Sequence, residues 1–183
     1  MINTAPEMVI LVDEHDNQLG LAEKMQAHTL GLLHRAFSVF IFRKHNNNLE
    51  LLLQQRQQDK YHCGGLWTNT CCSHPRAGET VLQAGERRLY EEMGIRSKLQ
   101  VLGAFKYRAE FSNGLVEHEY DYALFGKYND ELIQFNQAEV QGYKWVTLEQ
   151  LQQDMLSHPE KFTPWLGGAL AIVLANLTLI QED

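Results

Sequence analysis

The chain has 183 residues, of which 44% are hydrophobic and 21% charged, and its 16 Lys and Arg against 23 Asp and Glu give a net charge of −7. This length and composition favour a single compact domain covering residues 1–183 and exclude a disordered or fibrous protein. The negative charge argues against a nucleic-acid partner, since binding a phosphate backbone normally requires a basic face. A small anion held by a local basic cluster is not excluded.

The cysteines and the apolar segments favour a cytoplasmic protein. Residues 1–7 lack a positively charged stretch followed by an apolar core, so no secretory signal is expected. Of the three cysteines, Cys71 and Cys72 are adjacent, which makes a poor disulfide framework and favours a reducing compartment. The longest apolar stretch, 166–180, is shorter than the roughly 20 residues that span a bilayer, so no membrane partner is expected.

Hydrophobic patterning predicts short strands separated by polar turns, together with a few helices. In chain order, the predicted strands cover 8–12, 37–43, 49–54, 99–107, 116–128 and 143–146, with a turn at Asn46-Asn47-Asn48. The predicted helices cover 80–93, which ends at a left-handed Gly94, then 148–157 and 164–180. Residues 24–37 are predicted to be a loop, and 67–75 an irregular segment. This mixture indicates an α/β (α+β layered) fold.

One row of residues on the helix predicted at 80–93 is expected to face inward. Val81, Gly85, Arg88 and Glu92 follow at helical spacing, and a row that begins with Val and Gly is typical of a buried face. A carboxylate on such a face needs a cation, and Mg²⁺ prefers carboxylate and phosphate oxygens. The alternative is that Arg88 and Glu92, four residues apart, form only a surface ion pair.

This segment resembles the Nudix box, in which a glycine, spaced glutamates and an Arg-Glu-hydrophobic-X-Glu-Glu-X-Gly run bind a divalent metal and a diphosphate. Ser73 replaces the opening glycine, and Arg88 replaces the glutamate expected after Arg87. The lost carboxylate belongs to the metal-binding set with which Nudix hydrolases activate water. The resemblance therefore implies a Nudix-like mixed β-sheet flanked by helices, without the hydrolytic activity. The matching residues are Glu79, Arg87, Leu89, Glu91, Glu92, Gly94 and Ile95.

A thiol and an imidazole stand close together at Cys72 and His74, in the segment that ends at Pro75. A lone cysteine is usually a small buried apolar residue, but a nearby metal or cation can give a thiol reactive character. The cysteines form no CxxC pair, so a structural zinc site is not expected.

Glu117 and Glu119 alternate on a predicted strand and therefore project from one face. Two like charges this close are unfavourable without a cation between them, unless the face is exposed and solvent surrounds the pair. Together with His28, His34 and His74, one or both carboxylates would make a suitable site for Mn²⁺ or Zn²⁺. The sequence alone does not show that these residues converge.

Over residues 28–165 the chain resembles type I isopentenyl-diphosphate Δ-isomerases. That family interconverts isopentenyl diphosphate and dimethylallyl diphosphate, in isoprenoid precursor biosynthesis, by protonating one carbon and deprotonating another. The segments that carry the resemblance occur in the family's order. They are Leu33-His34-Arg35-Ala36-Phe37-Ser38, Trp67-Thr68-Asn69, Cys72-Ser73-His74-Pro75, Glu117-His118-Glu119 and Phe162-Thr163-Pro164-Trp165.

The resemblance implies that Cys72 and Glu119 form the acid/base pair on opposite sides of the isopentenyl group. Tyr107 would hydrogen-bond Glu119, and the alternative is that it is an ordinary strand aromatic. Trp165 would turn its ring face toward the transient positive charge, and the alternative is a core tryptophan. Cys71 would be a bystander thiol, because the family's catalytic cysteine stands two residues before the histidine.

The resemblance also implies two metal sites and a basic diphosphate site. The second metal, Mg²⁺, would bind Glu92 and the main-chain carbonyl of Cys72 and bridge to the diphosphate. The first, Mn²⁺ or Zn²⁺, would bind His28, His34, His74, Glu117 and Glu119. The diphosphate would contact Lys24, Arg56, Lys60 and Arg88.

The sequence thus favours a diphosphate isomerase with a small-molecule substrate, acting as a monomer or weak dimer. A Nudix-type diphosphate hydrolase is the second hypothesis, against which Arg88 argues. A non-catalytic metal or nucleotide-binding module is the third. A thiol beside imidazoles and paired carboxylates, as at Cys72, argues against it.

Overall fold

A computed structural model describes residues 6–182, in which the chain forms a mixed sheet with helices packed on both faces. The expected fold class is confirmed, whereas the predicted lack of a secretory signal concerns residues that lie mostly outside the described range. The strands are β1 (Met8–Val12), β2 (Gln18–Glu23), β3 (His34–His45), β4 (Asn48–Arg56), β5 (Trp67–Thr68), β6 (Cys71–Ser73), β7 (Gln100–Glu110), β8 (Val116–Lys127) and β9 (Val140–Thr147). The α-helices are α1 (Lys24–Leu30), α2 (Val81–Met93), α3 (Leu148–Ser157), α4 (Leu166–Ala175) and α5 (Leu177–Glu182), with a 3₁₀ turn at Pro159–Lys161.

The long strand β3 organises the sheet. It pairs antiparallel with β1, β4 and β6 and parallel with β8, which in turn pairs antiparallel with β7. The register places His34 of β3 opposite Glu119 of β8, and Glu119 opposite Tyr107 of β7. Because paired residues project from the same face of a sheet, these three side chains lie side by side.

The two faces of β3 contribute to two separate apolar clusters, as the alternation of a strand requires. Phe40 and Phe42 pack in a cluster that includes Leu166 and Leu170 of α4. Val39 and Ile41 project from the opposite face and pack in the cluster that includes α2. The sheet therefore has a hydrophobic core on each side and is rigid between them.

Helix α2 has the ends that the sequence predicts. Thr80 caps its first turn by accepting a hydrogen bond from the Gln83 N–H at 3.2 Å, and the Gln83 side chain bonds back to the Thr80 N–H at 3.0 Å. Gly94 ends the helix with φ +70°, a conformation that favours glycine. These two caps hold the helix that carries Arg88 and Glu92.

Three local predictions are wrong. Residues 24–37 are not a loop, since they form α1 and the beginning of β3, and 67–75 contains the short strands β5 and β6. Strand β2 is also absent from the prediction, because it is short and most of its side chains, including Leu19 and Leu21, are exposed. The helix expected at 164–180 is interrupted at Asn176, whose side chain donates to the Ile172 carbonyl at 2.8 Å and so competes with the backbone hydrogen bonds.

In the described part of the chain, no helix has the length and apolar character that crossing a membrane requires.

Gly85 of α2 lies against the sheet, and this contact can be tested by substitution. A Cβ atom there would meet side-chain atoms of Leu124 at 2.7 Å and Leu99 at 2.9 Å. We expect Gly85→Val to lower the free energy of unfolding by about 1–3 kcal/mol, the usual penalty of overpacking, measured by urea denaturation. Gly20→Val is the control, since no atom lies within 4 Å of the corresponding position. Equal stability of the two variants would contradict the tight packing of α2.

Candidate active site

One pocket is lined by every predicted site residue except His28 and His34, which are fully buried beside Glu117. Its lining includes residues from the beginning of β8, from β6 and from helix α2. The predicted residues lining it are Lys24, Arg56, Lys60, Cys72, His74, Arg88, Glu92, Tyr107, Glu117, Glu119 and Trp165. The structure therefore brings together residues that are scattered over more than 140 positions of the chain.

Three histidines surround the two carboxylates at the floor of this pocket. His28 Nε2 lies 3.1 Å from Glu117 Oε1, and His34 Nε2 lies 3.8 Å from Glu117 Oε2. His74 Nε2 lies 2.8 Å from Glu119 Oε1 and 3.2 Å from His34 Nε2. One ligand atom from each of His28, His34, His74 and Glu117 lies within 4.8 Å of the others. Glu119 is outside that set but contacts two of its members.

The donor set fits a divalent cation. His28 Nδ1 and His34 Nδ1 lie 2.6 and 2.8 Å from the carbonyl oxygens of Lys24 and Leu32, and an Nδ1–H donated there would leave Nε2 of a neutral ring available to bind a cation. His28 Nε2 and Glu117 Oε2 are buried and have no hydrogen-bond partner within residues 6–182. A cation bound between imidazole nitrogens and carboxylate oxygens would satisfy both atoms.

The histidines also decide the charge of the two carboxylates. Burial raises the pKa of Glu119, but its hydrogen bonds and ionic contacts with His34 and His74 outweigh burial and hold that pKa well below the usual range. Burial and the neighbouring Glu119 raise the pKa of Glu117, yet its contacts with His28 and His62 leave the net shift downward. These imidazoles therefore favour the ionised form of both carboxylates.

Strand alternation separates the two adjacent thiols. Cys72 pairs with Ser38, on the face that carries His34 and Glu119, whereas Cys71 is fully buried in the apolar cluster on the α2 side. Burial raises the pKa of the Cys72 thiol to about 12, although Arg56, whose Nη1 lies 3.7 Å from Sγ, lowers it. Cys72 is thus a protonated thiol that lines the pocket.

Tyr107 and Trp165 complete the apolar end of the pocket. The Tyr107 hydroxyl donates a hydrogen bond to Glu119 Oε2. Trp165 donates from Nε1 to Thr68 Oγ1 at 3.0 Å, which fixes its ring, and its centroid lies 6.2 Å from that of Tyr107. The Arg56 guanidinium lies 5.4 Å from the Trp165 ring centroid and marks the boundary between the apolar end and the basic end.

At the basic end Lys24, Lys60 and Arg88 are each paired with an acidic residue, whereas the Arg56 guanidinium contacts Cys72 Sγ and the His62 carbonyl. Lys24 Nζ lies 3.0 Å from Glu7 Oε2, and Lys60 forms an ion pair with Glu139. Arg88 Nη2 lies 2.5 Å from Glu92 Oε1 and 3.4 Å from Glu139 Oε1. The inward orientation expected for Glu92 is confirmed, since Glu92 is buried.

The sequence analysis did not identify His62 as a pocket residue. His62 contacts Glu117 and stacks on Phe111, and it lies in a loop where no periodicity assigns it to a face. Gln54 was also missed: its amide donates to Glu92 Oε2 at 2.9 Å. Its place on a predicted strand gives no sign that a buried carboxylate lies opposite.

Comparison with protein families and curated proteins gives consistent matches. The family model of the NUDIX domain matches residues 32–166. A Photobacterium profundum protein named isopentenyl-diphosphate Delta-isomerase is 49% identical over 94% of this chain and 97% of that protein. A Pectobacterium atrosepticum protein of the same name is 50% identical over 86% of each. Isopentenyl-diphosphate Delta-isomerase 2 of Aromatoleum aromaticum is 47% identical over 94% of this chain and 89% of that protein.

Solved structures match the fold at lower identity. The MutT NUDIX hydrolase from Burkholderia pseudomallei has a TM-score of 0.60 and 20% identity, over 77% of this chain and 98% of that one. A C. elegans Ap4A hydrolase complex has a TM-score of 0.58 and 24% identity, over 79% of this chain and 97% of that one. At this identity the similarity establishes the fold alone.

The ligand role of the buried histidines can be tested by metal titration. We expect His34→Ala to weaken the binding of Zn²⁺, used as a probe, by at least about tenfold, since even residues that only support ligands contribute 10–100-fold. Isothermal titration calorimetry measures the affinity. The control is His45→Ala, because the His45 side chain is 54% exposed and far from the pocket. Unchanged affinity in His34→Ala would refute its role as a ligand.

Proposed function

The chain belongs to the isopentenyl-diphosphate Delta-isomerase family of NUDIX-domain proteins, and we propose that this pocket isomerises isopentenyl diphosphate to dimethylallyl diphosphate. The observation that carries the proposal is the presence of a protonated thiol, Cys72, and an ionised carboxylate, Glu119, in one pocket beside a buried His/Glu cluster. This activity places the enzyme in isoprenoid precursor biosynthesis.

Moving the double bond requires one acid and one base. A proton is added to the terminal alkene carbon and another is removed from the carbon on the far side of the branch point, so that the substrate gains no net proton. Cys72 and Glu119 form this acid/base pair, in contact with opposite sides of the isopentenyl group. An unactivated alkene is a very weak base, so the donor must be positioned closely in a site that excludes water.

Tyr107 and Trp165 assist the pair. The Tyr107 hydroxyl orients Glu119 by its hydrogen bond to Oε2. Trp165 is buried, and a ring face directed at the carbocation-like state contributes about 2 kcal/mol or more where water is excluded. Its fixed ring also covers the substrate's branched end.

The His/Glu cluster would hold one divalent metal, Mn²⁺ or Zn²⁺. A metal bound there supplies positive charge that neutralises the carboxylates and fixes the orientation of Glu119. The proposed ligands are His28, His34, His74, Glu117 and Glu119.

The diphosphate binds at the basic end of the pocket. Arg56 and Arg88 can present planar pairs of N–H donors to phosphate oxygens, and the two lysines act as point charges. Glu92 and the main-chain carbonyl of Cys72 would hold a Mg²⁺, which would add positive charge for the diphosphate and suits the preference of Mg²⁺ for carboxylate and phosphate oxygens. The four basic residues are Lys24, Arg56, Lys60 and Arg88.

A diphosphate hydrolase is less well supported. Arg88 occupies the position where the Nudix box has a metal-binding glutamate, and its guanidinium is paired with Glu92. An arginine at this position removes one of the carboxylates with which a hydrolase gathers the metal that activates water, and it favours the binding of an anion. The cytoplasmic location and the monomeric or weakly dimeric state stay predictions.

The reaction can be followed directly by NMR. We expect incubation with isopentenyl diphosphate and Mg²⁺ in D₂O to give deuterated dimethylallyl diphosphate, because the proton donated to the alkene exchanges with solvent between turnovers. Release of phosphate without a shift of the double bond would contradict isomerisation and support the hydrolase.

The thiol is tested by a pair of variants. Cys72→Ser is expected to lower turnover about 10²–10⁴-fold, the usual contribution of a positioned acid or base, while leaving the circular dichroism spectrum and the metal content unchanged. Cys71→Ala is the control, since Cys71 is buried in the core on the opposite face and should retain turnover at some loss of stability. Retained activity in Cys72→Ser would assign the proton transfer to another group.

A further inference from the structure

His62 is a fourth buried imidazole at the floor of the pocket. Its side chain is 2% exposed, and its Nε2 contacts Oε1 of Glu117. Its ring centroid lies 5.9 Å from that of His28, and it lines the same pocket as Cys72. A buried imidazole in contact with a carboxylate of the metal cluster needs an explanation that packing alone does not supply.

The surroundings of the ring decide where its proton lies. Both ring nitrogens of His62 are buried, and neither makes a hydrogen bond of regular geometry in the described part of the chain, although Nε2 is in contact with Glu117 Oε1. The tautomer of an imidazole is set by the hydrogen bonds of its two nitrogens. Glu117 Oε1 is the acceptor in contact with Nε2, so a proton on Nε2 would point at this oxygen.

The ring is clamped in this orientation. It stacks on Phe111 at a centroid distance of 4.7 Å and an interplanar angle of 8°, and it packs edge-on against Tyr61 at 4.3 Å. The Asn113 side chain donates to the Tyr61 carbonyl at 2.8 Å and so ties the β7–β8 turn to the loop that carries His62. An ordered ring of this kind can fix the orientation of its acceptor.

The loop itself has little freedom. Two residues after His62, the backbone of Gly64 packs against that of Gln58, where a Cβ atom would lie 2.1 Å from the Gln58 carbonyl oxygen. Gly65 has φ +77° and donates its N–H to the Arg56 carbonyl at 3.1 Å. These backbone contacts hold His62 in place at the floor of the pocket.

We propose that His62 is a positioning residue that donates from Nε2 to Oε1 of Glu117 and thereby presents Oε2 to the divalent metal. Glu117 Oε2 faces His34 Nε2 at 3.8 Å and is buried without a hydrogen-bond partner among residues 6–182, as this role requires. The inference rests on the proposed metal site and deepens it. It assigns to His62 the support of a ligand.

Calorimetric titration with Zn²⁺ and absorption spectroscopy with Co²⁺ test the role in the full chain. His62→Phe keeps a ring that can stack on Phe111 but removes the donor, and we expect Zn²⁺ affinity to fall about 10–100-fold. His62→Gln retains an N–H donor and should recover most of that affinity, with a Co²⁺ spectrum like that of the wild type. The matched control is His158→Phe, because the His158 side chain is 54% exposed and does not line the pocket.

Each outcome bears on the proposal. Wild-type affinity in His62→Phe would overturn it, and so would failure of His62→Gln to recover affinity, which would leave ring packing as the role of His62. A wild-type protein whose Co²⁺ spectrum reports one more nitrogen ligand than His62→Gln would show that His62 binds the metal directly. If the wild type does not bind Zn²⁺, the proposed metal site itself is wrong. This result differs from failure of the His62 proposal, which would appear only in the variants.

Discussion

Two buried carboxylates lie two residues apart on one strand, and the rest of the site must supply the donors and positive charge that stabilise them. Glu117 and Glu119 are 2% and 7% exposed, so water cannot separate their charges, and in an interior of low effective dielectric constant their repulsion is strong. Removing such charges from water is itself unfavourable by several kcal/mol per ion. The arrangement is stable only with donors and positive charge around the pair, which explains why four imidazoles and a phenol converge there.

The fold supplies these donors through strand register rather than through local sequence. β8 lies between β3 and β7, so the pairing that builds the sheet also sets His34 and Tyr107 on either side of Glu119. Alternation along β6 then turns Cys72 toward this face and Cys71 into the opposite core. A slip of one residue in either register would move these side chains to the other face. The apolar cores on both sides of the sheet resist such a slip. They therefore also keep the side chains of the site on the same face.

The sequence predicted the fold class, the main strands and helix α2 with its end at Gly94, because these depend on periodicity and on a glycine that acts locally. It also named most of the pocket through short motifs. The sequence did not show that the site residues converge. Helix α1 is only seven residues long and has no clear apolar period, so His28 was taken for a loop residue. His62 was harder still, because its position depends on the closed backbone at Gly64 and on stacking against a residue 49 positions away.

Arg88 shows how one substitution separates this pocket from that of a hydrolase with the same fold. A glutamate at this place on α2 would add negative charge beside Glu92 and gather metal ions that activate water. An arginine neutralises Glu92 instead, and its remaining donors can meet an anion that enters the pocket. In the proposed reaction the catalytic charge lies at the other end, around Glu119, where the alkene is expected. The diphosphate would then anchor the substrate, and the bond that breaks would be a C–H bond rather than a P–O bond.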